Sequence, residues 1–283
     1  MIYELNHVGV MCRDLEKSVK FYKENFGAEV VFDYIVAGTP FHITYIQIAH
    51  GMLELVGIGD QAPKYGYEHV SFMSDSIDDD YQRLIGAGYA SIQEPKKAMT
   101  GYGKIAFVAD PNGVKVELIE RESTFRIPTI EQGDIREFDH ICIAVDNLEV
   151  SEQFYTQDIS MDPLSRKYVE AYNVTFSHLH KGLENLELMH PGNPENEGDR
   201  ILHIALRVDD VNAMAEKLKS NGVELDPGYP KAAAFGGGLT AKFSGPDGEK
   251  IELVDRVALQ ELEEVDGKEL QLISNATGGQ SNE

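Results

Sequence analysis

The sequence predicts an α+β fold built from four copies of one strand–helix–strands unit, paired into two domains. Three observations lead there. A histidine inside an apolar strand-like run recurs four times, at His7, His69, His140 and His203. Each is followed 47 to 49 residues later by a glutamate between aliphatics, at Glu54, Glu117, Glu187 and Glu252. The units also pair: His7 to His140 and Glu54 to Glu187 are each 133 residues, His69 to His203 is 134, and Glu117 to Glu252 is 135. A short unit nested in a repeat of about 134 residues implies a duplication of a duplication.

The elements follow in order. The first strand is expected over about Tyr3 to Met11, with Val8 and Val10 on one face and Leu5, His7, Gly9 and Met11 on the other, because strand side chains alternate. In the fourth unit Leu202, Ile204, Leu206 and Val208 make the apolar face, and Ile201, His203, Ala205 and Arg207 the mixed one that would line a cavity. A helix follows each first strand. Its expected N-caps are Asp14, then Ser76 or Asp78, then Asp146 or Asn147, then Asp209 or Asp210. Phe21-Tyr22 and Phe154-Tyr155 sit 14 residues after their histidines in the first and third helices. β-rich runs complete each unit, such as Ala28–Val36 and Phe41–Ile48. Asn112-Gly113 and Asp247-Gly248 are hairpin turns into the last strands.

The repeat divides the chain into a first domain over 1–125, a linker over 126–133, a second domain over 134–256 and an acidic tail over 257–283. A peripheral helix is expected from Val257 to Ile273, with disorder beyond it. The net charge of −23 disfavours nucleic acid and anionic membrane as partners, since both select clustered Lys and Arg. No apolar run approaches the ~18 residues of a membrane span. The first strand begins at once, so no signal peptide is expected. Cys12 and Cys142 form no CxxC and suggest no disulfide framework, which points to a reducing cytoplasm. The oligomeric state expected is monomer or homodimer.

A single histidine in a strand is ordinarily a satisfied polar group, and a single Leu-Glu-Leu is ordinarily the alternation of a half-solvated strand. Four of each in matched register point instead to imidazole and carboxylate ligands of a divalent metal. The pairing of units, within each half or crosswise between units one and four and units two and three, stays open. His178 and His180, two apart on one strand, are either groups supporting the site or a solvated pair. The Lys96-Lys97 to Gly103 segment and the Lys231 to Gly238 segment are either grips for an anionic substrate or mobile loops with ordinary lysines.

Asn6-His7-Val8-Gly9-Val10, Asp14-Leu15-Glu16, Phe21-Tyr22 and the run from Ala109 to Glu120 resemble the vicinal oxygen chelate superfamily, and the last of these resembles the closing strand of glyoxalase I in particular. The resemblance covers nearly the whole chain to Arg256. It implies βαβββ modules paired into curved mixed sheets around metal-site cavities, with ligands from first and last strands. It implies two ligand quartets, His7, Glu54, His69 and Glu117, and His140, Glu187, His203 and Glu252, for Ni, Zn, Co or Mn. It implies a small-molecule substrate with adjacent oxygens and a lyase or isomerase that moves a proton next to a carbonyl through a metal-bound enediolate. Glu117 or Glu252 would be the base, with Glu54 or Glu187 opposite.

Two alternatives come with the same family. An extradiol-type ring-cleaving dioxygenase would hold Fe(II) on His140, His203 and Glu252. It would also want a catalytic tyrosine on the strand before Glu252, where Phe243 stands near the expected place. A small-molecule binding or resistance protein would have lost the ligands that both halves here keep.

Overall fold

The computed structural model describes residues 1–192 and 199–262. The helix expected from Val257 to Ile273 and the tail beyond it fall mostly outside the described residues. The first unit is β1 (Ile2–Cys12), α1 (Leu15–Phe26), β2 (Glu29–Ile35), β3 (His42–Ile48) and β4 (Gly51–Gly57). The second is β5 (Gly66–Ser74), α2 (Ile77–Gly86), β6 (Ser91–Lys97), β7 (Lys104–Ala109) and β8 (Lys115–Glu120). The third is β9 (Ile135–Ala144), α3 (Leu148–Gln153), β10 (Asp162–Val169), β11 (Val174–Lys181) and β12 (Glu184–His190). The fourth is β13 (Ile201–Val208), α4 (Val211–Ser220), β14 (Lys231–Ala232), β15 (Leu239–Ser244) and β16 (Lys250–Val254). Each unit is therefore βαβββ.

Pairing runs within the halves. One eight-stranded sheet has the order β2-β3-β4-β1-β5-β8-β7-β6 and the other β10-β11-β12-β9-β13-β16-β15-β14. First and last strands of a unit run parallel, and the two first strands meet antiparallel at the sheet centre. That topology sets β4, β1, β5 and β8 side by side, so the strands carrying His7, Glu54, His69 and Glu117 are neighbours.

Three of the expected caps hold their helices: the side chains of Asp14, Asn147 and Asp210 accept from the backbone N–H groups of Lys17, Val150, and Asn212 with Ala213. α2 differs. Ser76 bonds Asp79 instead, and the Ile77 N–H is taken by Glu120 at 2.8 Å. α3 is short and runs on as a π-helical turn over Phe154–Asp158.

Strict alternation fails in the ligand strands, for a physical reason. β1 gains an extra residue between Leu5 and His7 relative to β5, and β5 gains one between Tyr67 and His69. β9 gains one between Phe138 and His140, and β13 one between Ile201 and His203. These four β-bulges place Leu5 in the core with Val8 and Val10, rather than on the His7 face, and move Leu202 out of the apolar face that Ile201 joins.

One hydrophobic core spans both halves. The helices lock them together in a mirrored way. From α1, the Tyr22 hydroxyl donates to Glu249 at 2.7 Å and the Ser18 hydroxyl to Asp247 at 2.6 Å. After α3 and within it, the Tyr155 hydroxyl donates to Asp110 at 3.1 Å and Ser151 accepts from Asn112 at 2.9 Å. The repeated Phe-Tyr pairs are thus explained by packing, since Tyr22 and Tyr155 are fully buried. Among the described residues no helix is long and apolar enough to cross a membrane.

Candidate metal centres

The bulges do more than bend strands. Each inserts its extra residue, Asn6, Glu68, Asp139 or Leu202, directly before a site histidine. A residue and its successor then both reach the same face, where alternation would have separated them. Three of the four extra residues use this to hold their neighbour's imidazole. His7 Nδ1 meets Asn6 Oδ1 at 3.0 Å, His69 Nδ1 meets Glu68 Oε2 at 2.6 Å, and His140 Nδ1 meets Asp139 Oδ1 at 2.6 Å. Arg121 donates to the same Asn6 oxygen at 2.8 Å, and Arg256 donates to Asp139, so each partner oxygen is an acceptor. Nδ1 therefore carries the proton in all three rings, and Nε2 is the nitrogen turned to the site.

In the first half four side chains converge. His7 Nε2 and His69 Nε2 lie 3.2 Å apart. Glu54 Oε2 is 3.6 Å from the first and 3.3 Å from the second. Glu117 Oε2 is 3.4 and 3.5 Å from them. Ligands bound at ~2.1 Å around one ion stand about 3.0–3.4 Å apart, close to these separations. All four residues are almost wholly buried. Glu54 is fixed by the Tyr45 hydroxyl, which donates to Oε1 at 2.8 Å. Glu117 Oε2 is buried without a hydrogen-bond partner. Burial favours a neutral Glu54, but His69 and His7 outweigh it and hold the carboxyl well below its ordinary range. Burial likewise pushes Glu117 up, and the nearby His69 brings it below the ordinary value. Two ionised, dry carboxylates, one of them with an orphaned oxygen, beside two oriented imidazoles fit a divalent cation.

Close packing holds this arrangement. A Cβ on Gly9 would lie 2.1 Å from His69 Cε1, so only glycine leaves room for the ring. We expect Gly9→Ala to push His69 out of line and weaken Mn²⁺ binding by roughly 10- to 100-fold, the usual cost of disturbing a ligand's support. Isothermal titration with Mn²⁺ measures it, and an unchanged Kd refutes the packing account.

The second half keeps the residues but surrounds them differently. His140 Nε2 and His203 Nε2 are 3.3 Å apart, and Glu252 Oε2 is 2.8 Å from His203 Nε2. These three form one group of facing donors, whereas Glu187 falls into a different trio with Cys142 and His203. Glu187 keeps Oε1 3.5 Å from His140 Nε2, while its Oε2 is held by His178, whose Nε2 lies 2.8 Å away and whose Nδ1 accepts from the Ser165 hydroxyl at 2.8 Å. Thr240 donates to Glu252, and Lys242 Nζ stands 3.7 Å from Glu252 and 3.4 Å from His203 Nδ1. Leu202 at the bulge offers His203 no acceptor. An ammonium donating to Nδ1 leaves the proton on Nε2, the wrong tautomer for ligation. This half does not fit a divalent metal as the first does. A cavity of about 210 Å³ opens above it, lined by Phe176, Tyr229, Lys231, Phe235 and Lys242 among others.

The spacing pattern offers His178 as a support but not Tyr45, Phe107 or Lys242. Tyr45 and His178 stand in register with Glu54 and Glu187 on the adjacent strand, and Phe107 and Lys242 with Glu117 and Glu252. Phe243, one residue on, lies in the core and stacks on Phe26 at 6.1 Å. His178 is buried at the site, while His180 on the same strand is half-buried. A polar residue just before three of the histidines, and an arginine four after Glu117 and after Glu252, were the available signals.

The family described as Glyoxalase/Bleomycin resistance protein/Dioxygenase superfamily matches residues 4–118 and 137–253. A lactoylglutathione lyase of Schizosaccharomyces pombe is 26% identical over 308 residues, covering 90% of this chain and 97% of the relative. Among solved structures, the Mn(II)-bound glyoxalase of Novosphingobium aromaticivorans superposes with a TM-score of 0.64 at 18% identity, over 94% of this chain and 85% of that one. The 2,3-dioxygenase LapB of Pseudomonas sp. KL28 gives 0.66 at 15% identity, over 93% and 96%. At those identities the two structures speak for the fold alone.

Proposed function

The chain belongs to the glyoxalase/bleomycin resistance protein/dioxygenase superfamily, and from that premise we propose that it is a divalent-metal-dependent lyase or isomerase of the glyoxalase type. The observation that carries this reading is the buried cluster of His7, Glu54, His69 and Glu117, with its unpartnered Glu117 oxygen. The relative named lactoylglutathione lyase supports it and suggests the substrate class, a hemithioacetal with adjacent oxygens. Ni²⁺, Zn²⁺, Co²⁺ or Mn²⁺ would be held by the four side chains, and would supply the Lewis acidity that polarises the substrate's oxygens.

The chain's own residues have separable tasks. Glu54 is tethered by Tyr45, so it is the fixed carboxylate. Glu117 is the freer one and serves as the base, taking a proton from the carbon beside the carbonyl and returning it to the neighbouring carbon. Arg121 and Asn6 hold His7, and Glu68 with Lys115 holds His69. Tyr45, packed on His7 at 5.0 Å between ring centroids, continues into an aromatic wall of Phe32 and Phe125 that keeps one side dry. The buried free thiols of Cys12 and Cys142 accord with a cytoplasmic setting.

The test is turnover of the methylglyoxal–glutathione hemithioacetal by protein loaded in turn with Ni²⁺, Zn²⁺, Co²⁺ and Mn²⁺, followed as thioester formation. Chelation should abolish it, and metal return should restore it. Absence of thioester with every one of the four metals refutes the reading. Oxygen uptake with catechols after anaerobic Fe(II) loading would favour ring cleavage instead; Lys242 beside His203 and Glu252 works against that outcome.

A further inference from the structure

We infer that Lys242 takes the place of a divalent cation in the second half, so that the chain binds one metal ion, in the first half only. The inference rests on the metal-dependent reading of the first cluster and adds to it where metal is refused.

Four substitutions separate the halves at matched positions, and the two around His203, Lys242 and Leu202, act directly on the charge and tautomer at the centre. Where Phe107 stands opposite Glu117, Lys242 stands opposite Glu252, bringing a fixed positive charge to a carboxylate that would otherwise need one. Phe107 packs edge-on against the His69 ring at 5.7 Å and leaves its nitrogens alone; Lys242 approaches His203 Nδ1 at 3.4 Å. Where Glu68 fixes the proton on His69 Nδ1, Leu202 leaves the matching nitrogen to that ammonium. Where the Tyr45 hydroxyl holds one oxygen of Glu54, His178 holds one oxygen of Glu187 at 2.8 Å, and in each half the other oxygen stays beside the first histidine. Where Gly9 makes room for His69, Cys142 brings a side chain up to Glu187 and His203.

The outcome is electrostatic. A divalent ion at the second cluster would sit within a few ångströms of an ammonium, in a pocket where water screens poorly. It would also find the His203 imidazole in the wrong tautomer. An internal lysine needs no free ion and is always present. The second half thus keeps the first half's bulges and its His–His pair, while the charge at its centre is supplied by the chain.

The experiment is Mn²⁺ binding to the chelator-treated full chain, read as free Mn²⁺ by electron paramagnetic resonance. The wild-type protein should bind about one ion per chain, and His7→Ala should bind none. Lys242→Phe combined with Leu202→Glu copies the first half into the second, and should raise binding to about two per chain. Two ions on the wild-type protein overturn the inference while leaving the proposed function standing. No ion on the wild-type protein overturns both. One ion surviving in His7→Ala places metal in the second half and overturns the inference even if the copied variant fails to fold. A folded copied variant that stays at one ion removes the role given to Lys242.

Discussion

Glu117→Gln should lower kcat by roughly 10²- to 10⁴-fold, the range a positioned base contributes, with the chain still folded. The amide keeps the size of the side chain and one oxygen, so β8 retains its packing between β5 and β7. What it loses is charge and basicity at an oxygen that no neighbour bonds. Tyr45→Phe makes the useful contrast. It leaves both carboxylates and removes only the hydroxyl on Glu54 Oε1, so the loss should stay near the tenfold that one supporting hydrogen bond is worth. Adding Glu252→Gln to Glu117→Gln should lower the rate no further, because the base that matters is already gone. Steady-state kinetics on the loaded enzyme, with circular dichroism as the control for folding, measures all three. A Glu117→Gln protein that turns over normally removes Glu117 from the reaction. A double variant far slower than the single one gives the second half a part in it.

The fold and the candidate site residues were legible because both are written as spacing. Four His–Glu intervals and a repeat of about 134 residues specify four units, and the parallel pairing of first and last strands then brings the His and Glu side chains together. What stayed hidden depends on register. Tyr45 faces Glu54 only because β3 and β4 align these residues, and nothing along the chain announces that pairing. A one-residue difference decided that Lys242 rather than Phe243 reaches the second cluster. The bulges are hidden for the same reason. Leu5 reads as a neighbour of His7 on one face until an inserted residue shifts it into the core. The choice between pairing within halves and pairing across them was a tertiary matter, set by the antiparallel contacts of β1 with β5 and β9 with β13.

Stability should fall as pH rises from about 5 to 8, and Glu249 should carry a large part of the fall. Its carboxyl is buried between the halves, where desolvation pushes it up to about 7 against an ordinary 4.5, although the Tyr22 hydroxyl donates to it and the Asp247 N–H bonds its other oxygen. The folded chain therefore holds a proton that the unfolded chain has released between those two values. Protons favour the folded state over that window, so raising the pH costs stability until both states are ionised. A shift from 4.5 to about 7 corresponds to about 3 kcal/mol at pH 8. Glu249→Gln never ionises. Its own hydrogen-bond change, about 1 kcal/mol, is the same at every pH. The difference in unfolding free energy between variant and wild type should thus move by about 3 kcal/mol in the variant's favour from pH 4.5 to pH 8. Denaturant titrations at four or five pH values read that difference directly, and other titrating groups cancel because both proteins share them. A difference that stays flat across the range would mean that Glu249 ionises inside the fold at no cost. The contact between α1 and the second half would then be wetter than its burial indicates.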